Sequence, residues 1–203
     1  MSLWVGVMSG TSLDGIDIGI VDFSGDREHP DAWDLVAFRT RPYETDLRAR
    51  IRAAIAEGTA RSLCDLDFEL GRRIGEAVEA SLEESGLAKR EVAGIGSHGQ
   101  TVWHRPPAAG EPGATLQLGR ASVIAELTGL PVVSDFRTRD MAAGGEGAPL
   151  TAYTDDVLFR GSEALAIQNI GGMANVTALP ARDAPDQPLA FDSGPGVALL
   201  DAA

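Results

Sequence analysis

The sequence has 203 residues, 44% of them hydrophobic, and a formal net charge of −13 from 30 acidic against 17 basic side chains. That length supports one domain or a domain and a fraction with its own core, and the acidic balance argues against non-specific nucleic-acid binding and against docking on anionic lipid. One cysteine, Cys64, excludes an intrachain disulfide framework and an all-cysteine metal site.

No apolar run approaches the roughly 18–20 residues that span a bilayer. The start, MSLWVGVMSG, lacks the basic region of a secretory signal, so a soluble cytoplasmic protein is expected.

In chain order, Leu3–Met8 is a short apolar run ended by Ser-Gly and reads as a buried strand. Ile16–Phe23 alternates and is β-branched, so it reads as a second strand joined to the first by SGTSLDG. Trp33–Thr40 is expected as a third strand. Tyr43–Ala56 and Ser62–Glu84 carry apolar residues at helical spacing, among them Leu66, Leu70, Ile74 and Val78, with Gly86 as the stop. Val92–Ser97 reads as a strand leading into HGQTVWHR, Thr115–Leu118 as another, and Ala121–Thr128 as a helix ended by Gly129. Pro131–Asp135 reads as a strand before the loop DFRTRDMAAGGEGAPL, and Thr154–Phe159 as helical. A second strand–glycine turn–strand unit then follows: Leu165–Ile170, Gly171-Gly172, Ala174–Ala178. Pro180–Pro188 reads as a loop. Leu189–Phe191 reads as a strand, and FDSGPG as a turn into a helix that opens with VALLDAA.

Interleaved strands and helices make this an α/β protein. The repeated hairpin places a division near residue 163: a first domain over 1–163 and the opening meander of a second over 164–203. The second unit is too short to fold comfortably alone. It is therefore expected to dimerise, to lean on the first domain, or to lack a C-terminal half.

The motifs carry the chemistry. The single lysine, Lys89, leaves no GxxxxGK[ST] phosphate loop. In SGTSLDG, the backbone N–H groups and hydroxyls of Ser9, Gly10, Thr11 and Ser12 can cradle phosphate oxygens without a lysine. Asp14 there can hold a hydrated Mg²⁺. The same residues also suit a turn that only satisfies its own backbone. In GSHGQTVWHRP, His98, Gln100, Thr101 and His104 place donors and acceptors at a strand end, or His98 is a core histidine and His104 a surface one. Three histidines without an HxxxH pair make a zinc site unexpected. In DFRTRD, Arg137 and Arg139 suit a bidentate clamp on a carboxylate or phosphate, or simple surface ion pairs with Asp135 and Asp140. Gly171-Gly172 lets backbone approach a ligand, with Asn175 beside it. Asp192, at the expected end of a strand, is placed to act as a general base or to cap the next element.

Taken together, MSGTSLDGID, IGSHGQTVWHRP, QLGRASVIAELTGLPVVSDFRTRDMAAGGEGAPL, IQNIGGMANVT and FDSGPG…LLDA, in that order, resemble the anhydro-N-acetylmuramic acid kinase family, within the sugar kinase/Hsp70/actin superfamily. The resemblance implies an actin-like (ribonuclease H-like) fold: a mixed sheet with flanking helices in each of two domains, and ATP in the cleft between them. It implies a first phosphate hairpin at Ser9–Ile16, including Leu13 and Gly15, and a second around Gly171 and Gly172. Asp192 is implied as catalytic base, with His98, Gln100, Arg137, Arg139, Asp140 and Asn175 on the sugar side. The implied partners are ATP, Mg²⁺ and a small amino sugar. The implied reaction opens the anhydro ring and phosphorylates O6, in cytoplasmic peptidoglycan recycling. Val197 stands where the family usually has Asn after FDxGPG. Family members are also much longer, which leaves a non-catalytic sugar- or partner-binding module as the alternative.

Overall fold

A computed structural model describes residues 2–26, 30–108 and 111–197. Ser2–Ser9 (β1), Gly15–Gly25 (β2) and Pro30–Pro42 (β3) form an antiparallel meander, with Met8 opposite Asp17 at the first turn. Two helices follow, Thr45–Glu57 (α1) and Ala60–Glu84 (α2), and carry the chain back so that Val92–Arg105 (β4) runs parallel to β1. Ala114–Leu118 (β5) pairs antiparallel with β4. Ala121–Thr128 (α3) leads to Val132–Ser134 (β6), which is again parallel to β4. The six strands lie in the order β3-β2-β1-β4-β5, with β6 alongside β4. This is the expected mixed α/β sheet with flanking helices.

Strand periodicity decides what is buried. Val5 and Val7 on β1 and Ile16, Ile18 and Ile20 on β2 point to one face, where Ile51 of α1 and Leu66, Leu70, Ile74 and Val78 of α2 meet them. α2 starts on a capping box: the Ser62 N–H donates to Thr59 Oγ1 at 3.2 Å, and the Thr59 N–H to Ser62 Oγ at 2.9 Å. It stops at Gly86 as expected, with the Leu87 N–H reaching back to Leu82 O at 3.0 Å.

Thr138–Ala142 (α4) and Thr151–Phe159 (α5) precede a second, three-stranded antiparallel sheet: Leu165–Ile170 (β7), Met173–Leu179 (β8) and Leu189–Pro195 (β9), in that spatial order. Helix α5 touches both sheets. Phe159 packs edge-on against Trp33 of β3, and buried Asp155 accepts the Thr177 hydroxyl of β8 at 2.6 Å.

Three expectations change. HGQTVWHR does not follow a strand but continues it: β4 exchanges β1 for β5 as its partner near Gln100, and Gly99 makes the turn at φ +72°, where an added Cβ would lie 2.5 Å from Leu118 O. FDSGPG is strand rather than turn, because β8 pairs with it as far as Met173–Pro195. Asp192 therefore sits inside β9, opposite Asn175, and not at a strand end. The long loop after β6 contains α4. The helix expected beyond Val197 lies outside the described residues.

Candidate active site

β1, β4 and β6 are parallel, so Ser9 at the end of β1, the His98–Gln100 bend within β4 and the chain after β6 that leads to Arg137 lie toward the same end of these strands, the usual side for ligands in α/β folds. Ser9 shares the inward face with Val5 and Val7, so its hydroxyl points into the core. There it donates to Gln100 Oε1 at 2.5 Å and lies 2.6 Å from the Tyr43 hydroxyl. The Tyr43 hydroxyl also reaches Gln100 Oε1 at 3.4 Å. Burial pushes the Tyr43 phenol up from 10.0, the Ser9 contact offsets part of this, and nearby Asp14 adds to it. Gln100 Nε2 in turn donates to Gly10 O and Thr101 O, both at 3.2 Å. Gln100 is thus fully buried and braces the first hairpin from beneath.

At the hairpin tip, Leu13 is buried at φ +55° and its N–H reaches Gly10 O at 3.3 Å. Leu13 and Ile16 belong to the core, and Gly15 passes against β3, where a Cβ would lie 2.3 Å from Arg41 O. Thr11, Ser12 and Asp14 face outward. Among the described residues the Thr11 and Ser12 N–H groups have no acceptor. Ser12 Oγ donates to Asp14 Oδ1 at 2.8 Å, which leaves Oδ2 open.

The second hairpin tip, Gly171-Gly172, comes to the first: a Cβ on Gly172 would lie 3.0 Å from Thr11 Oγ1. The end of FDSGPG pins that tip. The Gly196 N–H donates to Gly172 O and the Val197 N–H to Gly171 O, both at 2.9 Å, and a Cβ on Gly196 would strike Gly171 O at 2.2 Å. Val197 contributes through its backbone, which any residue but proline supplies.

A third group surrounds Arg137. Its Nε–H donates to His98 Nε2 at 3.0 Å and its Nη1–H to Gly147 O at 2.5 Å. The Gly147 N–H donates to Asp140 Oδ2 at 2.8 Å. Burial weakens the Arg137 proton affinity, and the Asp192 carboxylate nearby partly restores it. Burial likewise holds His98 below 6.5, against the Gly99 carbonyl, while Arg137 lowers it further. His104 is also held below 6.5, by burial and by Arg137, with Asp192 acting the other way. The Asp192 carboxylate on β9 thus contributes to the electrostatics of both Arg137, at the start of α4, and His104, on β4.

His104 is more than a surface histidine. Its Nδ1 lies 3.1 Å from Thr115 Oγ1, and its Nε2 is buried without a partner. Only its proximity to His98 in sequence hinted at this. Tyr43 carried no sequence signal at all. Arg139 is exposed on α4, away from this network, and Asn175 is half-buried on β8. A cavity of about 730 Å³ opens beside the site, lined by Asp140, Glu146, Gly147, Leu150, Tyr153 and Ala190, the last on the same strand face as Asp192.

The sequence profile described as anhydro-N-acetylmuramic acid kinase matches residues 2–203. The chain belongs to the anhydro-N-acetylmuramic acid kinase family. A kinase of that name from Caldanaerobacter subterraneus subsp. tengcongensis is 43% identical over 206 residues, covering 98% of this chain and 52% of the relative. One from Bacillus thuringiensis subsp. konkukian is 41% identical over 201 residues, covering 97% and 52%. The chain thus spans about half the length of these curated kinases. Among solved structures, YeaZ from Pseudomonas aeruginosa aligns over 97% of this chain and 68% of its own, at 11% identity and a TM-score of 0.27. Among the described residues of this family member, no helix is long and apolar enough to cross a membrane.

Proposed function

We propose that this chain forms the sugar-facing wall and both phosphate hairpins of an ATP-dependent kinase. The kinase opens 1,6-anhydro-N-acetylmuramic acid with water and phosphorylates O6, giving N-acetylmuramic acid 6-phosphate for cytoplasmic peptidoglycan recycling. The observation that carries this reading is the meeting of the two hairpin tips, Thr11 against Gly172.

Asp192 takes a proton from water as the water oxygen bonds to C1. The C1–O6 bond breaks toward O6, and O6 bonds to the γ-phosphorus as the bond to the β-phosphate oxygen breaks. The Asp192 carboxylate suits a general base. The Thr11 and Ser12 N–H groups and the Gly171-Gly172 turn offer donors and close approach to phosphate oxygens. Gln100 and Tyr43 act from below, by holding the first hairpin. Arg137 suits the lactyl carboxylate, with Arg139, Asp140 and Asn175 at the margin of the sugar cavity. Mg²⁺ fits through Asp14 alone: no cluster of three ligating side chains exists among the described residues, and this ion accepts one carboxylate together with phosphate oxygens and waters. ATP, when bound, would supply the transferable phosphoryl group, and Mg²⁺ would neutralise its charge.

The test is ADP release with ATP, Mg²⁺ and the anhydro-sugar. Sugar-dependent turnover is expected, with ¹⁸O from labelled water appearing at C1, and Asp192→Asn is expected to lower turnover about 10²–10⁴-fold. Sugar-independent ADP release, unchanged in that variant, refutes the reading.

A further inference from the structure

His98 lies where β4 changes partners, and both of its ring nitrogens are engaged. Nδ1 is 2.8 Å from Gly99 O. A carbonyl only accepts, so Nδ1 carries the proton and Nε2 presents a lone pair. Arg137 Nε–H, a permanent donor, meets that lone pair at 3.0 Å. Buried to 8% exposure and bonded at both nitrogens, His98 has no atom left for a ligand. Arg137 differs: Nε and Nη1 are held by His98 and Gly147, while Nη2 has no acceptor among the described residues.

The identity of the brace matters. A carboxylate under Arg137 would neutralise the charge that a ligand needs. A neutral imidazole orients the guanidinium and leaves its full positive charge available. We propose that His98 is a positioning residue, holding Arg137 as a neutral acceptor so that its free N–H groups read a carboxylate on the sugar. The ligand half of this inference rests on the sugar-kinase reading above; the brace itself does not.

Protonating His98 would set an N–H against the Arg137 N–H and one cation against another. The other charged groups facing the pair are Asp140 on α4, His104 on β4 and Asp192 on β9. A His104→Asn background separates the titration of His104.

The complete polypeptide is titrated calorimetrically with two probes, 1,6-anhydro-N-acetylmuramic acid and 1,6-anhydro-N-acetylglucosamine. They share a ring and differ by the lactyl carboxylate. The unaltered protein is expected to prefer the first by about tenfold or more, the usual scale of a charge-assisted hydrogen bond. His98→Ala and Arg137→Ala are expected to erase that preference, with the second sugar bound within about threefold of the original. His98→Gln, whose side-chain oxygen can accept from Arg137, is expected to restore it. Acidification that protonates His98 is also expected to reduce the preference in the unaltered protein, while the ligand carboxyl, near 3.5–4, stays ionised. Preference that survives His98→Ala overturns the assignment. If neither sugar binds, the kinase reading fails on its own. The brace is then read by NMR: a slowly exchanging Arg137 Nε–H that disappears in His98→Ala supports it, and its absence from the unaltered protein overturns it.

Discussion

At the scale of single residues, the site is held by side chains far apart in sequence: Tyr43 and Ser9 with Gln100, and Arg137 with His98. The glycine clusters and the Asp, Arg and His motifs were visible in the sequence because each is a local pattern. The braces were not, because strand and helix periods report which face a residue is on and never which distant residue it meets. His98, buried, and His104, half-buried, make one consequence measurable. Both are held below 6.5 in the folded chain and relax toward that value on unfolding. The unfolded chain therefore binds protons first as the pH falls. Their stabilising contribution is complete above 6.5 and is lost as the pH drops through 6.5 toward the folded values. Urea midpoints are expected to be lower at pH 5.5 than at pH 7.5, and the double variant His98→Asn/His104→Asn is expected to flatten the difference. An equal pH dependence in both proteins would refute this.

At the scale of elements, helices were the most legible. α3 occupies the expected Ala121–Thr128 because its stop at Gly129 is a local signal. Strands β4 and β9 were read short, since glycine and histidine break the alternation while their partners continue to pair with them. The α2–α3 joint shows how tertiary contact overrides propensity. A Cβ on Gly71 would lie 2.9 Å from Arg120 O, a backbone atom, whereas one on Gly75 would meet the movable Leu127 side chain at 3.0 Å. Alanine in a helix gains about 1 kcal/mol over glycine, but overpacking against fixed backbone costs about 1–3 kcal/mol. Gly71→Ala is therefore expected to lower Tm by a few degrees, at about 2–4 °C per kcal/mol for a chain of this size, and Gly75→Ala by less. Thermal melts that rank the two the other way would contradict this packing.

At the scale of the whole molecule, the site belongs to neither sheet alone. The first hairpin and His98 come from the six-stranded sheet, Arg137 from the start of α4 just after it, and Gly172 and Asp192 from the three-stranded sheet. The mixed fold could be read from the order of the elements, but the approach of the two tips could not, because nothing local encodes it. That approach can be trapped. With Cys64 replaced by Ser, the pair Thr11→Cys and Gly172→Cys is expected to form a disulfide on mild oxidation, since the Gly172 Cβ position lies 3.0 Å from Thr11 Oγ1. The oxidised form is expected to lose ATP binding, and reduction to restore it. Failure of the pair to cross-link in the folded protein would place the tips apart.

Helix α5 has unequal attachments to the two bodies it bridges. Breaking the buried Asp155–Thr177 bond would strand a carboxylate, at about 1–3 kcal/mol. Sliding Phe159 off the edge of Trp33 forfeits about 0.5–1.5 kcal/mol. Any rocking of one body on the other therefore slips at the aromatic face, and the helix rides with the smaller body as that body swings Asp192 toward or away from its cationic neighbour.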